Sequence, residues 1–360
     1  MVSYKNPESI KLTNKDKKES IKADWNEYLF NHHDSVRKHL NAGLNLYDLT
    51  YYPEFDRTRM KESLRDLLQI EDSYILVSNG SDDVIKQLIM ELSVEYSSIF
   101  GLSPEYSQHF EFASRIGMDV ERKDLNLKMN INAEKVLALI DDCNCDIIYL
   151  SNPHNPTGLF INQKTIVGFI RNNPEKLFVI DEAYADFDRC SIASSVESLS
   201  NVIIVRSFSK AFGLAGLRVG YSIVPKGFNI DLHQYHNKKN VSQIGLIFAN
   251  LVLENVDYYI KQWERMIKYR EELAILLKSL GFFTIHNKGN FISILISNEN
   301  FLEQFMKQRN IYIRSKYRDH MNDYELFRIT IPDATKFDLL KTALKNYSQK
   351  YPNSLSIDGG

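Results

Sequence analysis

The most distinctive chemical feature of the sequence is a lysine surrounded by small and apolar residues. Lys210 follows two serines, Ser207 and Ser209, and precedes Arg218. A desolvated lysine has a lowered pKa and can act as a nucleophilic amine. Hydroxyls and a guanidinium together suit a phosphate dianion. A lysine in such a turn is by itself usually only solvated, so it is the ordered combination that indicates a reactive amine beside an anion site.

A carboxylate follows another apolar segment. Asp181 comes directly after the apolar residues 177–180, and Tyr184 follows three residues later. Burying a carboxylate at a strand end is costly unless it meets a cation or a hydrogen-bond donor. A protonated pyridine nitrogen would be such a partner, and Tyr184 could reach the same ligand. The alternative is that Asp181 caps the N-terminus of a helix.

Two more polar segments follow apolar runs. Gly80, Ser81 and Asp82 open a predicted helix, where free backbone N–H groups can bind an anion, although any capped helix looks similar. In residues 152–158, two prolines and a glycine fix a turn in which Asn155 can present its amide. The alternative for this second segment is an ordinary loop.

The positions of these groups follow from an alternation of apolar runs and amphipathic stretches. It predicts strands at 74–77, 146–150, 177–180 and 202–205, and helices at 82–95 and 164–171. Strands of continuous apolar residues separated by helices favour a mostly parallel sheet covered on both faces. In such sheets, ligands bind beyond the carboxyl ends of the strands, where all the polar segments fall.

The sequence changes character after about residue 250. A long amphipathic helix is predicted at 256–280, with strands at 291–295 and 326–331. We expect a large domain at 50–250, and a smaller α+β domain with an N-terminal arm formed by 1–49 and 251–360.

The order of these motifs resembles the fold-type I aminotransferases that use pyridoxal phosphate (PLP), and most closely the histidinol-phosphate aminotransferase-like group. The residues that carry the resemblance are Asn155 to Gly158, Asp181 to Tyr184, Ser207 to Lys210 and Arg218, with further matches at 52–54, 80–82, 288–291 and 326–330. It covers roughly residues 24–331. The resemblance implies an α/β fold with a large PLP-binding domain.

The resemblance also implies roles for individual residues. Lys210 would be the Schiff-base lysine and would move the substrate proton, with Asp181 pairing with the ring nitrogen. Asn155 and Tyr184 would bind the phenolic oxygen, and Tyr106 would stack on the ring. The cofactor phosphate would be held by Ser207, Ser209, Arg218 and the Gly80–Ser81–Asp82 segment, and by Tyr52 from the neighbouring subunit of a homodimer.

For the substrate, the resemblance assigns Arg328 to a carboxylate or another anion, and places Asn26 in the substrate-binding N-terminal element. Arg314 would read a phosphate, unless it is a surface arginine at a strand end. The Pro-Tyr-Gly that usually follows Asn-Glu is absent after Glu27, and lysines stand at 238 and 239. These departures put an imidazole substrate in doubt.

We therefore predict an aminotransferase for a small phosphorylated or otherwise anionic amino or keto compound, with glutamate and 2-oxoglutarate as the other pair. One alternative is a decarboxylase of O-phospho-amino acids with the same fold. Another, of a different class, is a regulatory sensor built on a PLP fold, although the first 25 residues are too few for a winged helix.

Composition limits the other classes. The net charge is −2, which gives no indication of a nucleic-acid or membrane surface. The three cysteines lack the spacing of a redox or zinc element, so no metal is predicted and idle thiols in a reducing cytoplasm are expected. No signal peptide or apolar span is apparent, and we expect a cytoplasmic biosynthetic enzyme.

Overall fold

The computed structural model of the protein describes residues 19–42, 50–70, 75–129, 131–226, 228, 232, 239–285, 288–297, 300–319 and 324–355. Tyr74 and Lys238 of the predictions above, and the last five residues, lie outside the described residues. The chain divides into two compact units. The larger comprises residues 30–155 and 159–265, and the smaller comprises the described parts of 1–29, 156–158 and 266–360.

The strands are β1 (Ile21–Lys22), β2 (Ile75–Ser78), β3 (Ser98–Ser103), β4 (Asp119–Asp124), β5 (Ile147–Ser151), β6 (Leu177–Asp181), β7 (Val202–Ser207), β8 (Gly220–Ile223), β9 (Phe283–Thr284), β10 (Phe291–Ser297), β11 (Ile311–Tyr312), β12 (Arg314–Asp319) and β13 (Tyr324–Thr330). The α-helices are α1 (Asp34–Ala42), α2 (Glu54–Leu68), α3 (Ser81–Leu92), α4 (Gln108–Arg115), α5 (Ala133–Asp141), α6 (Gln163–Asn172), α7 (Ala185–Asp188), α8 (Gln243–Leu253), α9 (Val256–Ser279), α10 (Leu302–Lys307) and α11 (Ala334–Lys350).

The larger unit contains a seven-stranded sheet in the order β2-β8-β7-β6-β5-β3-β4. Its strands run parallel except for β8, which is antiparallel to both of its neighbours. The prediction of a mostly parallel sheet flanked by helices is therefore confirmed.

The apolar composition of the central strands explains their position. Every residue of β5 and β7 is buried, as are the first four of β6, because helices cover both faces of the sheet. On one face, Tyr149, Val179 and Val205 pack with α3 residues such as Leu88. The first turn of α3 carries Asp82 and Asp83, whose negative charges interact favourably with the positive N-terminal end of the helix dipole.

The smaller unit contains an antiparallel sheet in the order β12-β13-β10-β9, and β1 pairs with β11 in parallel. β10 and β13 pair along seven residues each, and all their side chains except that of Ser297 are buried. The long helix α9 begins in the larger unit and ends in the smaller one.

The domain limits at residues 50 and 250 remain a prediction, and the compact units differ from them in detail. Residues 30–42 and 251–265 belong to the larger unit, because α8 packs against α1 and α2 there. Among the described residues, no helix combines the length and the apolar character needed to cross a membrane.

The close approach of β8 to the start of α3 gives a test of the fold. A Cβ atom at Gly220 would lie 2.4 Å from the Ser81 amide nitrogen and 2.5 Å from the Gly80 carbonyl carbon. We expect Gly220→Ala to lower the free energy of unfolding in urea by about 1–3 kcal/mol through overpacking. Gly168→Ala is the control, because nothing lies within 4 Å of its added methyl group. Equal stability of the two variants would contradict the close approach.

Candidate active site

The central parallel strands bring the predicted reactive groups to one edge of the sheet. β5 ends at Ser151 and β6 at Asp181, and the register pairs these two residues. Asp181 is also paired with Val205 of β7, which ends two residues later at Ser207. Parallel strands finish at the same edge, so the polar segments that follow them lie beside one another.

The Asp181 carboxyl is fixed by two hydrogen bonds. Its Oδ2 accepts one from the Tyr149 hydroxyl at 2.8 Å, and its Oδ1 accepts one from the Ala183 amide at 2.9 Å. Desolvation by the surrounding protein raises the pKa of Asp181, while these donors and the charge of Lys210 act in the opposite direction. The carboxyl is therefore suited to a cationic partner.

Lys210 lies in the turn after β7 and is partly exposed. Its Nζ is 5.9 Å from the centre of the Tyr184 ring, which is buried at the start of α7. The Lys210 amine, the Tyr184 phenol and the Asp181 carboxyl thus all lie at or just after the ends of the neighbouring strands β6 and β7. This placement is the one expected for residues that surround one ligand.

A buried ion pair holds the ends of β6 and β7 together. Arg206 donates from Nη1 to Glu182 Oε2 at 2.6 Å and from Nη2 to Asp186. Glu182 also accepts a hydrogen bond from the Ile192 amide at 2.7 Å. Because Glu182 follows Asp181 and Arg206 precedes Ser207, this pair fixes the backbone on which the reactive residues stand.

The N-terminus of α3 forms an anion-binding environment with Arg218. Gly80 has φ of 87°, and a Cβ atom there would lie 2.6 Å from Arg218 Nη2. The guanidinium therefore lies against the glycine, and it forms an ion pair with Asp82 at 2.8 Å. Backbone amides at a helix start and an adjacent guanidinium bind phosphate well.

The serines of the predicted phosphate site reach the same place from β7. Ser207 and Ser209 are buried, and the Ser209 amide donates to Ser207 Oγ at 3.0 Å. Ser207 is paired with Gly220, which packs against the Ser81 amide. The structure thus brings together the hydroxyls, the start of α3 and Arg218, as the motif order predicted.

Three further predicted residues lie in the larger unit. Tyr106 is partly exposed, and its pKa is raised by burial and by the nearby charge of Asp82. The backbone amide of Asn155 donates to Ser151 Oγ at 3.2 Å. Tyr52 is 68% exposed, and Lys239 Nζ lies 4.4 Å from the centre of its ring.

The predicted substrate residues lie in the smaller unit. Arg328 is buried on β13 and donates to the Asp24 carbonyl at 2.9 Å. Arg314 is directly opposite Arg328 on β12, with its guanidinium 5.3 Å from the centre of the Trp25 ring. Asn26 is fully buried, and its Oδ1 accepts a hydrogen bond from Thr330 at 2.9 Å. Their roles toward substrate remain predictions.

The sequence analysis missed several buried polar residues beside Asp181. Tyr149 binds the Asp181 carboxyl, and the His109 ring packs at a tilt against Tyr149 with ring centres 3.9 Å apart. Burial lowers the pKa of His109 to about 3, so this imidazole is neutral. Glu105 is buried next to Ser151. One sequence feature could have indicated these residues. Tyr149 and Ser151 are two positions apart at the end of a predicted strand, which places both side chains on the same face of β5.

Comparison with known proteins identifies the family of the chain. The sequence profile of the family described as "Aminotransferase class I and II" matches residues 18–344. A dihydroxyacetone phosphate transaminase of Campylobacter jejuni is 30% identical, with 85% of this chain and 84% of that protein covered. A histidinol-phosphate aminotransferase of Clostridium novyi is 27% identical, with 88% of each chain covered. The crystal structure of histidinol-phosphate aminotransferase from Sinorhizobium meliloti in complex with pyridoxal-5'-phosphate has a TM-score of 0.78 and 24% identity, with 92% of this chain and 91% of that chain covered.

The chain therefore belongs to the class I and II aminotransferases, and it has the fold of the fold-type I PLP enzymes. Pyridoxal 5'-phosphate is its cofactor. The residues present fit that group. Arg218, packed against a glycine at the start of α3, suits a phosphate. The desolvated Asp181 suits a protonated ring nitrogen, and Lys210 suits the aldehyde. The predictions of family, fold and cofactor are confirmed.

The hydrogen bond from Tyr149 gives a pH-dependent test. Burial raises the pKa of Asp181 above its ordinary 3.8, so the unfolded chain loses this proton first and stability falls as the pH rises. Tyr149→Phe removes a donor and raises that pKa further. We expect the cofactor-free variant to be less stable than wild type by about 1.5–3 kcal/mol once Asp181 is ionised. The difference should shrink in acid.

Urea unfolding at a series of pH values measures this effect. Tyr96→Phe is the control, because the Tyr96 ring packs against the same core without a contact to Asp181. A stability loss for Tyr149→Phe that is the same at every pH would refute the coupling to Asp181.

Proposed function

We propose that this aminotransferase acts on a small phosphorylated or otherwise anionic amino or keto compound, with glutamate and 2-oxoglutarate as the other pair. The proposal depends mainly on one observation, the placement of Arg314 directly opposite Arg328 in the β12–β13 register. Two like charges directly opposite each other destabilise an antiparallel pair. A bound dianion removes that cost, and guanidinium groups bind carboxylate and phosphate through two parallel hydrogen bonds.

The surroundings of the two arginines support different tasks. Arg328 is buried, and its guanidinium donates to the Asp24 carbonyl, which fixes its direction. Arg314 is partly exposed and lies over the Trp25 ring, which also carries Lys22 at 5.4 Å. We assign Arg328 to a carboxylate or another fixed anionic group, and Arg314 to a phosphate. The names of the Campylobacter jejuni and Clostridium novyi enzymes described above each include a phosphate compound.

The cofactor, when bound, supplies an electron-withdrawing ring that stabilises negative charge at the substrate carbon. Lys210 would hold the cofactor through its Nζ, and once the substrate amine has displaced it, the freed Nζ would move the proton from the substrate carbon to the cofactor. Asp181, held by Tyr149, keeps a negative charge toward the ring nitrogen. Asn155 and Tyr184 would bind the phenolic oxygen, and Tyr106 would stack on the ring.

The remaining cofactor contacts hold the phosphate. We assign this task to Ser207, Ser209, Arg218 and the segment from Gly80 to Asp82. Tyr52, which is exposed in the single chain, reaches the phosphate in the other subunit of a homodimer. Asn26 would shape the substrate pocket through its backbone, because its side chain is bound to Thr330. We place the enzyme in cytoplasmic biosynthesis, without a nucleic-acid or membrane partner.

A substrate panel tests the proposed function. We expect purified enzyme with PLP to transfer the amino group of glutamate to phosphorylated keto compounds, with dephosphorylated analogues reacting much more slowly. Production of 2-oxoglutarate measures this transfer, and Lys210→Ala with the same cofactor is the blank. Release of CO₂ from phosphoserine or phosphothreonine without any amino transfer would instead establish the decarboxylase alternative.

Arg314→Ala tests how the phosphate is recognised. We expect the KM of a phosphorylated substrate to rise about 10- to 100-fold, the loss of one charge-assisted contact. The KM of the dephosphorylated analogue should change little. Arg309→Ala is the matched control, because Arg309 also lies over an aromatic ring of the same unit, 3.5 Å from the centre of Phe305. Equal effects on both substrates would show that Arg314 does not bind the phosphate.

A further inference from the structure

Glu105 is a buried acid to which neither the motifs nor the proposed mechanism gives a task. It follows β3, and only 1% of its surface is exposed. Its Oε1 accepts hydrogen bonds from the hydroxyl and the amide of Ser151, at 2.5 and 3.2 Å. Its Oε2 faces the Leu102 amide at 3.4 Å. A carboxyl held in this way fixes the turn after β3 to the end of β5.

Residues on both sides of this link belong to the cofactor site. Tyr106 is the next residue in the chain, and the register pairs Ser151 with Asp181. Ser151 Oγ also accepts the hydrogen bond from the Asn155 amide. The Glu105 carboxyl thus joins the segments that carry three predicted cofactor contacts, those of Tyr106, Asn155 and Asp181.

Burial, together with the charge of Asp181, favours the neutral form of Glu105. Among the described residues, the titratable side chains that face it are His154, Tyr149 and Asp181. His154 Nε2 lies 4.0 Å from Oε1, and Asp181 adds a repulsive negative charge. Burial, with this smaller repulsion, raises the pKa of Glu105 from its ordinary 4.5 to about 8, despite the three donors. Ionisation of Glu105 would put its buried negative charge close to the carboxylate of Asp181.

We propose that Glu105 is a positioning residue of the cofactor site, which in its protonated form orients Asn155 through Ser151 without adding its charge to that of Asp181. The inference rests on the proposed function, because it uses the cofactor contacts assigned there. It goes beyond that function by giving the site a residue that acts through another residue and touches neither cofactor nor substrate.

The experiment compares wild type with Glu105→Gln, Glu105→Ala and the exposed control Glu134→Gln. The amide in Glu105→Gln keeps the shape and the neutrality of a protonated carboxyl. At neutral pH we expect it to bind PLP as wild type does, whereas Glu105→Ala binds about tenfold more weakly after losing buried hydrogen bonds. Titration of the long-wavelength absorption band of the lysine-bound cofactor gives these affinities.

The pH at which this band changes separates positioning from general stability. A donor on the phenolic oxygen favours the ionised oxygen, so a misplaced Asn155 moves the midpoint upward. We expect that shift in Glu105→Ala and not in Glu105→Gln or the control. An unchanged midpoint in Glu105→Ala would overturn the positioning role, even if that variant were less stable.

Unfolding of the cofactor-free protein tests the protonation state. With a raised pKa in the folded protein, wild type loses stability relative to Glu105→Gln as the pH rises from 4.5 to about 8, and the difference is constant above that range. A difference that does not vary with pH would overturn the neutral form of Glu105. If Glu105→Ala does not fold, this measurement still tests the neutral form, and Ser151→Ala, which removes the hydroxyl of the same link, replaces Glu105→Ala in the pH titration of the band.

The outcomes also separate the inference from the function on which it rests. Wild-type protein that develops no long-wavelength band with PLP would overturn the cofactor assignment, and the proposed positioning role with it. If wild type shows a normal band and both Glu105 variants show the same band, only the positioning role would be overturned. Amino transfer by wild type, measured as above, tests the proposed function and does not depend on the result for the Glu105 variants.

Discussion

The carboxyl of Asp181 imposes the strongest constraint on this structure. It ends a buried strand in a desolvated position, where an unpartnered negative charge is very costly. Tyr149 and the Ala183 amide donate to it, and Lys210 places a positive charge nearby. A protonated ring nitrogen would complete this set of partners, which is the role that we propose for Asp181. The requirement explains why an enzyme of this class places its acid at the carboxyl edge of a parallel sheet.

Burial also controls the charge of the other polar groups around Asp181. His109 is neutral because burial lowers its pKa to about 3, and Glu105 is neutral below about 8. Polar side chains therefore fill the space behind the site without competing for the charge of Asp181. The hydroxyl of Tyr149 is the direct donor, and the aromatic packing of His109 against it keeps that hydroxyl in place.

Local sequence patterns predicted the elements that consist of continuous apolar residues. Strands β5, β6 and β7 were predicted to within two residues, because their composition alone favours a buried strand. The patterns missed β4, whose residues Asp119–Asp124 are mostly charged and form an edge of the sheet. They also missed β3, which Gly101 interrupts, and β8, in which Gly220 and Ser222 break up the apolar run. Such strands form because neighbouring strands offer hydrogen bonds, and periodicity does not record those neighbours.

The sequence by itself determined which chemical groups stand at the strand ends and in what order, because Asn155, Asp181 and Lys210 each follow an apolar run that is recognisable as a buried strand. Only the tertiary structure decided which distant residues support them. Tyr149 meets Asp181 across 32 positions, Glu105 meets Ser151 across 46, and Arg314 faces Arg328 through strand register. These contacts depend on packing and register between separate elements, so no local pattern of residues could have specified them.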